Sequence, residues 1–190
     1  MSETYAFLFC LGLGIAARFL YMGATLLAKR TDILPVTVVL DNIRSLNNVG
    51  SFFRTCDAFA VEKIILCGIT ATPPGREIHK TALGAENTVA WSYSPTTVQA
   101  LGELRASGCT LLAVEQAEGA VMLGDFRPRH GERYALVFGN EVFGVGQEAA
   151  DMCDGAIEIP QAGTKHSLNV AVAGGAVLWH FFSALTARNR

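Results

Sequence analysis

From residue 36 onward, short β-branched and aliphatic runs alternate with longer stretches of helical periodicity. Alternation of this kind predicts a mostly parallel sheet with helices on its faces. Strands are expected at 36–40, 63–67, 88–93, 110–114, 134–138 and 156–159. Helices are expected at 48–59, 97–106 and 146–152, and the chain is expected to close in a long helix over 167–187. Polar or glycine-rich segments follow nearly every strand, at 41–47, 68–80, 115–119, 139–146 and 161–166. In open α/β sheets, ligands sit off these carboxyl ends. The expected fold class is therefore α/β, with one domain over residues 35–190 and no internal repeat.

Residues 1–34 break this pattern as an apolar extension. The 5–27 segment is long enough to cross a bilayer, yet Arg18 lies inside it, where insertion costs roughly 2.5–3.5 kcal/mol. A secretory signal would place Lys or Arg before the apolar run, where only Glu3 stands. Three readings stay open: membrane association through 5–27, a helix packed on the domain or a second subunit, and a biological start at Met22.

Composition narrows the function classes. The 190-residue chain is 51% hydrophobic with a formal net charge of −2, so nothing draws it as a whole to polyanions. A nucleic-acid partner must be held by a local patch. The five cysteines are scattered, without a C-x-x-C pair, which reads as reduced, mostly buried thiols of a cytoplasmic protein. A G-x-S-x-G elbow, an H-E-x-x-H helix, a P-loop and a G-x-G-x-x-G turn are all missing. Serine hydrolase, zinc enzyme and dinucleotide readings are left without a site.

Three constellations carry candidate chemistry. The first, 41–55, is a strand end running into a helix, where Asn47 and Arg54 share a face if the helix begins at Asn47. The bland alternative is that Ser45 or Asn47 caps the helix and Arg54 is a solvated charge. In the second, 138–146, Gly139, Gly144 and Gly146 let backbone approach a ligand, and the carboxylate of Glu141 follows the strand. The third sets Lys165, His166, Ser167 and Asn169 at the mouth of an apolar helix, where free backbone amides can hold a ligand. Ser167 is the expected N-cap there. Within that helix, Gly174 and Gly175 each cost roughly 1 kcal/mol relative to alanine, predicting close packing against another backbone. Trp179, Phe181 and Phe182 supply aromatic surface for a core or a dimer contact. Weaker signals are the basic loop with Arg76 and Lys80 and a second cluster at Arg127, Arg129, His130 and Arg133, which could meet phosphates or be merely solvated.

In this order, Asn48-x5-Arg54, Gly139-Asn140-Glu141-x2-Gly144 and Ile159-Pro160-x2-Gly163-x3-Ser167-Leu168-Asn169-Val170 resemble the three motifs of the SpoU or TrmH family of RNA ribose 2′-O-methyltransferases, in the SPOUT superfamily. The resemblance covers about residues 36–179. It implies a SPOUT-type α/β domain with a trefoil knot near its C-terminus, working as a homodimer. It implies S-adenosylmethionine as cofactor, held mainly by backbone around Gly139, Ile159 and Leu168, beside Glu141 and Gly144, with the loop after Val114 closing one side. Arg54 takes the place of the family's catalytic arginine, Asn48 of its supporting amide, Glu141 of the second-motif carboxylate, and Ser167 with Asn169 of the third-motif polar pair. RNA contacts are expected from Arg44, Arg54, Arg76 and Lys80, and from Lys165 and His166 at the rim. Displacement at a sulfonium methyl needs no metal, only an oriented donor and a nucleophilic hydroxyl. A guanidinium holds its proton to a pH above about 12, so Arg54 is expected to act by positioning and electrostatics. Gln161 and Ala171 depart from the family pattern, where an apolar residue and a serine are common. No separate N-terminal RNA-binding domain is expected beside the methyltransferase domain, a reading that leans toward tRNA over rRNA. The alternatives are an rRNA 2′-O-methyltransferase and a non-catalytic RNA-binding factor that keeps the fold.

Overall fold

The computed structural model describes residues 33–164 and 167–186, so the expectations for residues 1–32 of the apolar extension, for Lys165 and for His166 lie outside the described set, while Leu34, placed at the end of that extension, opens the first strand. Strands β1 (Leu34–Asp41), β2 (Val61–Cys67), β3 (Trp91–Ser94), β4 (Cys109–Val114), β5 (Val121–Met122), β6 (Arg133–Phe138) and β7 (Gly155–Glu158) build the sheet. Between and after them run helices α1 (Leu46–Ala58), α2 (Arg76–Ala82), α3 (Thr97–Ala106), α4 (Gln147–Asp151) and α5 (Val170–Thr186). The strand order is β3-β2-β1-β6-β4-β7-β5, and every neighbouring pair is parallel. All strand carboxyl ends therefore emerge at one edge.

The period-two alternation of the strands divides the core into two layers. Val36, Val38 and Leu40 pack with Phe52 and Phe53 of α1 and with Val177, Leu178 and Phe181 of α5. Val39, Ile65, Ala135 and Val137 face the other way, onto Ala100, Leu101 and Leu104 of α3 and Ala149 of α4. Covering both faces is what a parallel sheet requires, and it explains why these strands read as continuous apolar runs. Among the described residues, no helix is long and apolar enough to cross a membrane.

Four expectations change. The strand placed at 88–93 runs instead over Trp91–Ser94, because a 3-10 turn at Ala85–Asn87 takes up the preceding residues and Val89 packs into the core before the strand begins. The 68–80 loop contains the start of α2, a helix too short to show periodicity and preceded by Pro73-Pro74-Gly75. Helix α2 packs so closely on α1 that a Cβ on Gly50 would collide with the Thr81 hydroxyl and the Ile78 carbonyl. Helix α5 starts at Val170, three residues later than expected. Its cap is Asn169, whose Oδ1 accepts from the backbone N–H of Ala171 at 2.9 Å and of Val172 at 3.3 Å, which leaves Ser167 outside the helix. Gly174 does mark a close approach, but to the ring of Phe52, not to another backbone, and Gly175 faces open space.

Candidate active site

At the end of β1 the chain turns through Asn42, whose φ of 56° is left-handed, and enters α1 under a side-chain cap. Ser45 Oγ accepts from the Asn48 N–H at 3.3 Å. That start places Asn48 in the first helical turn, half-buried, and Arg54 further along on the exposed face with Asn47. The shared face predicted for Asn47 and Arg54 is thus present. Asn48 turns away from it.

The loop after β6 is a tight structure held by its own polar groups. Asn140 and Gly144 exchange two backbone hydrogen bonds of 2.9 Å. The buried Asn140 side chain donates to the Asn42 carbonyl at 2.7 Å and accepts from the N–H of Val142 at 2.9 Å. A Cβ on Gly139 would collide with the backbone of Gly144 and Val145, and Gly144 sits at a φ of 71°, so both positions need glycine.

Glu141 ties this loop to α1. Its Oε2 accepts from the Arg44 N–H, and its Oε1 from the Ser45 N–H and the Asn48 amide, each at 3.0 Å. Asn48 Oδ1 in turn accepts from Asn169 Nδ2 at 3.1 Å. One hydrogen-bonded run, Glu141 to Asn48 to Asn169, therefore joins all three sequence constellations. Burial pushes the Glu141 carboxyl upward, but the donors from Arg44, its own N–H, Asn48 and Ser45 outweigh it and hold the group below the usual carboxylate range.

Two further carboxylates fasten the same loop, and neither was singled out by motif or spacing. The buried Asp41 accepts from the Gly146 N–H at 2.8 Å and from the Thr97 hydroxyl at 2.5 Å. Glu115 accepts from the Val145 N–H at 3.1 Å. The available signal was their position: an acidic residue at, or just after, the last residue of an apolar strand.

These loops close a cleft of about 420 Å³ at the carboxyl edge of the sheet. Val114, Gly139, Glu141, Gly144, Ile159 and Leu168 all line it, together with Ser167, Asn169 and the unusual Gln161. Ile157, Val170 and Ala173 add apolar wall. Glu115 and Glu141 are the only charged groups among the described lining residues. Asn48 lies behind the wall, bonded to two of its members, while Arg54 is exposed and makes no hydrogen bond or ion pair among the described residues. Arg44 and Arg76 are exposed, and Lys80 pairs with Glu77 at 2.6 Å. The second basic cluster lies toward the opposite edge, at the amino end of β6, where Arg133 pairs with Glu62 at 2.9 Å and Arg129 with Glu132 at 3.4 Å.

Comparison with known proteins matches the same stretch. The SpoU rRNA Methylase family model covers residues 35–179. The chain is 34% identical over 145 residues to the tRNA (guanosine(18)-2'-O)-methyltransferase of Thermus thermophilus, covering 76% of this chain and 72% of that enzyme. It is 30% identical to a 23S rRNA (guanosine-2'-O-)-methyltransferase of Neisseria meningitidis, covering 76% of this chain but only 56% of that one. The AdoMet-bound rRNA methyltransferase of Sinorhizobium meliloti superposes with a TM-score of 0.72 at 29% identity, over 80% of this chain and 60% of that one. The match begins in the first described strand, ends in α5 and takes in every loop that closes the cleft, so the chain belongs to the SpoU rRNA methylase family.

Proposed function

We propose that this protein transfers a methyl group from S-adenosylmethionine to a ribose 2′-hydroxyl of RNA. The observation that carries the reading is the run Glu141–Asn48–Asn169, which ties two loops to helix α1 around one cleft and leaves Arg54, further along that helix, without a partner among the described residues. The cleft suits the cofactor on chemical grounds. Its volume of about 420 Å³ fits a nucleoside-sized ligand, its apolar wall suits a base, and Gly139 and Gly144 keep backbone open to contact. With two carboxylates and no cation among the described lining residues, it favours a cationic sulfonium over a polyphosphate. Gly139, Ile159 and Leu168 would hold the cofactor, with Val114 at one side and Glu141 and Gly144 at the other.

When bound, S-adenosylmethionine supplies an electrophilic methyl group. Arg54 orients the nucleotide through its phosphate and stabilises the developing alkoxide with its fixed donors, while the hydroxyl proton leaves to phosphate or water. Glu141, already accepting three hydrogen bonds from neighbouring groups, stays ionised and holds Asn48 in place. Ser167 and Asn169 meet the substrate from the cleft wall. Arg44, Arg76 and Lys80, with Lys165 and His166, supply backbone contacts to the RNA.

The substrate we favour is tRNA, supported by the higher identity and coverage of the Thermus tRNA enzyme. The working unit is a knotted homodimer, and Trp179, 57% exposed beside Phe59 and Phe182, is suited to a face covered by a second copy. A cytoplasmic place accords with Cys56, Cys67, Cys109 and Cys153 all being free thiols. The test is transfer of labelled methyl groups from S-adenosylmethionine to purified tRNA and, separately, rRNA. Label in the ribose of tRNA is expected; label in rRNA alone overturns the substrate, and label in neither overturns the activity.

A further inference from the structure

The three motifs leave out one carboxylate that the structure puts in the cleft wall. Glu115 follows β4 directly, and its own N–H continues the ladder to the Ile157 carbonyl at 3.1 Å. Its Oε2 accepts from the Val145 N–H at 3.1 Å and its Oε1 from the Gln116 N–H at 3.1 Å. Gly144, at a φ of 71°, presents its bare Cα to the same carboxylate, and a Cβ there would collide with Glu115 Oε2. Strand β4 lies between β6 and β7 in the sheet. Glu115 therefore fastens the 139–146 loop to the strand end beside it, on the side opposite the Glu141 link to α1. Asp41 takes the next N–H along the loop, that of Gly146. Glu141, Glu115 and Asp41 grip the loop at three points, and only Glu141 belongs to a motif.

We infer that Glu115 is a positioning residue for the cofactor cleft: it sets the path of the 139–146 loop through the Val145 N–H, so that cofactor affinity depends on its reach more than on its charge. This rests on the proposed cofactor. Three variants separate reach from charge. Glu115→Asp keeps the charge but is one methylene too short for the Val145 N–H. Glu115→Gln keeps the reach and an acceptor oxygen. Glu115→Ala removes both.

Calorimetric titration of each variant with S-adenosylmethionine reads the effect, and losing one charge-assisted bond should weaken binding about tenfold in Ala and Asp. Gln should stay within about threefold of the unchanged protein, so that restoring the reach restores the affinity. Hydrogen exchange supplies a readout independent of ligand: exchange across 139–146 should quicken in Ala and Asp and stay slow in Gln. Full affinity in Asp with loss in Gln would overturn the inference and assign Glu115 an electrostatic role toward the sulfonium. Unchanged exchange in Ala would overturn it as well. If the unchanged protein binds no S-adenosylmethionine, the proposed function falls, and the exchange pattern still decides whether Glu115 holds the loop.

Discussion

Around the cleft, Glu141 accepts from Arg44, Ser45 and Asn48, and Asn48 accepts from Asn169. On the outer face of the same helix α1, Arg54 meets no partner among the described residues. The cleft spends its polar groups on itself and so has its shape before any ligand arrives. The outer face leaves its guanidinium unpartnered among the described residues, where the proposed reaction would bring a phosphate or an alkoxide. Preorganised polar groups lose little on reaction, whereas an unpartnered Arg gains most when a phosphate or an alkoxide appears beside it. One helix therefore carries two kinds of residue: those that tie the cleft together, and an unpartnered arginine that the proposed reaction would use.

Breaking the free side should have the largest effect on turnover and almost none on folding. Arg54→Ala is expected to lower methyl transfer about 10²- to 10³-fold, the range for removal of one oriented donor from a developing charge. Stability should stay within about 0.5 kcal/mol, because the group being cut back is exposed and has no partner among the described residues. Transfer assays beside thermal unfolding check both. A large fall in melting temperature would mean that Arg54 belongs with the builders and that the contrast drawn between the two regions is wrong.

Breaking the bonded side should do the reverse. Asn48→Ala takes a donor from Glu141 and an acceptor from Asn169, costing about 1–3 kcal/mol of stability. Activity should fall with it, and weaker cofactor binding should account for part of that fall. Equilibrium denaturation and calorimetry on the same preparation separate the two losses. Intact stability in Asn48→Ala would place Asn48 beside Arg54, as a group that acts on substrate without holding the site together.

A pH series sharpens the contrast further. The Glu141 carboxyl is held below its ordinary value near 4.5, since its hydrogen-bond donors outweigh its burial. Its contribution to stability is therefore complete above that ordinary value and is lost as pH falls through the lowered one. Glu141→Gln should be less stable than the unchanged protein at neutral pH, and the gap should close in acid. Urea denaturation at pH 7 and below pH 4 measures it. Arg54→Ala should run parallel to the unchanged protein across the whole series.

The same division governs what could be read from sequence. The strands at the centre of the sheet, buried on both faces, were legible as apolar runs, and α3 as a helix of the expected bounds. The residues of the cleft wall, Val114, Gly139, Gly144, Ile159 and Leu168, came from the family resemblance, and each ends a strand or sits in the loop that follows one. What escaped was tertiary. Asp41 and Glu115 are ordinary polar residues until the fold brings the Gly146 and Val145 amides within reach. Asn169 displaced Ser167 as the cap because the backbone turns into α5 only at Val170, and periodicity cannot fix so local a choice. Helix α2 went unseen because its stability comes from packing on Gly50, not from its own two turns.

The smallest expected effect tests how far the free face extends. Lys80 is exposed on α2, which packs on α1, and among the described residues its ion pair is with Glu77 a turn away. Such a pair contributes no more than about 0.5 kcal/mol, so Lys80→Ala should leave the melting temperature nearly unchanged. If the outer face follows the RNA backbone, removing one cation that neutralises a phosphate reduces the dependence of log affinity on log salt by roughly one unit. Lys80 must leave Glu77 to reach a phosphate, so the drop in affinity at moderate salt should be slight even where the slope changes. Arg133→Ala is the matching control, because Arg133 lies at the amino end of β6 and is paired with Glu62. Filter-binding isotherms at several salt concentrations should give a shallower slope for Lys80→Ala and an unchanged one for Arg133→Ala. The opposite pattern would move the RNA to the far edge of the sheet and leave Arg54 alone on a face that RNA does not follow.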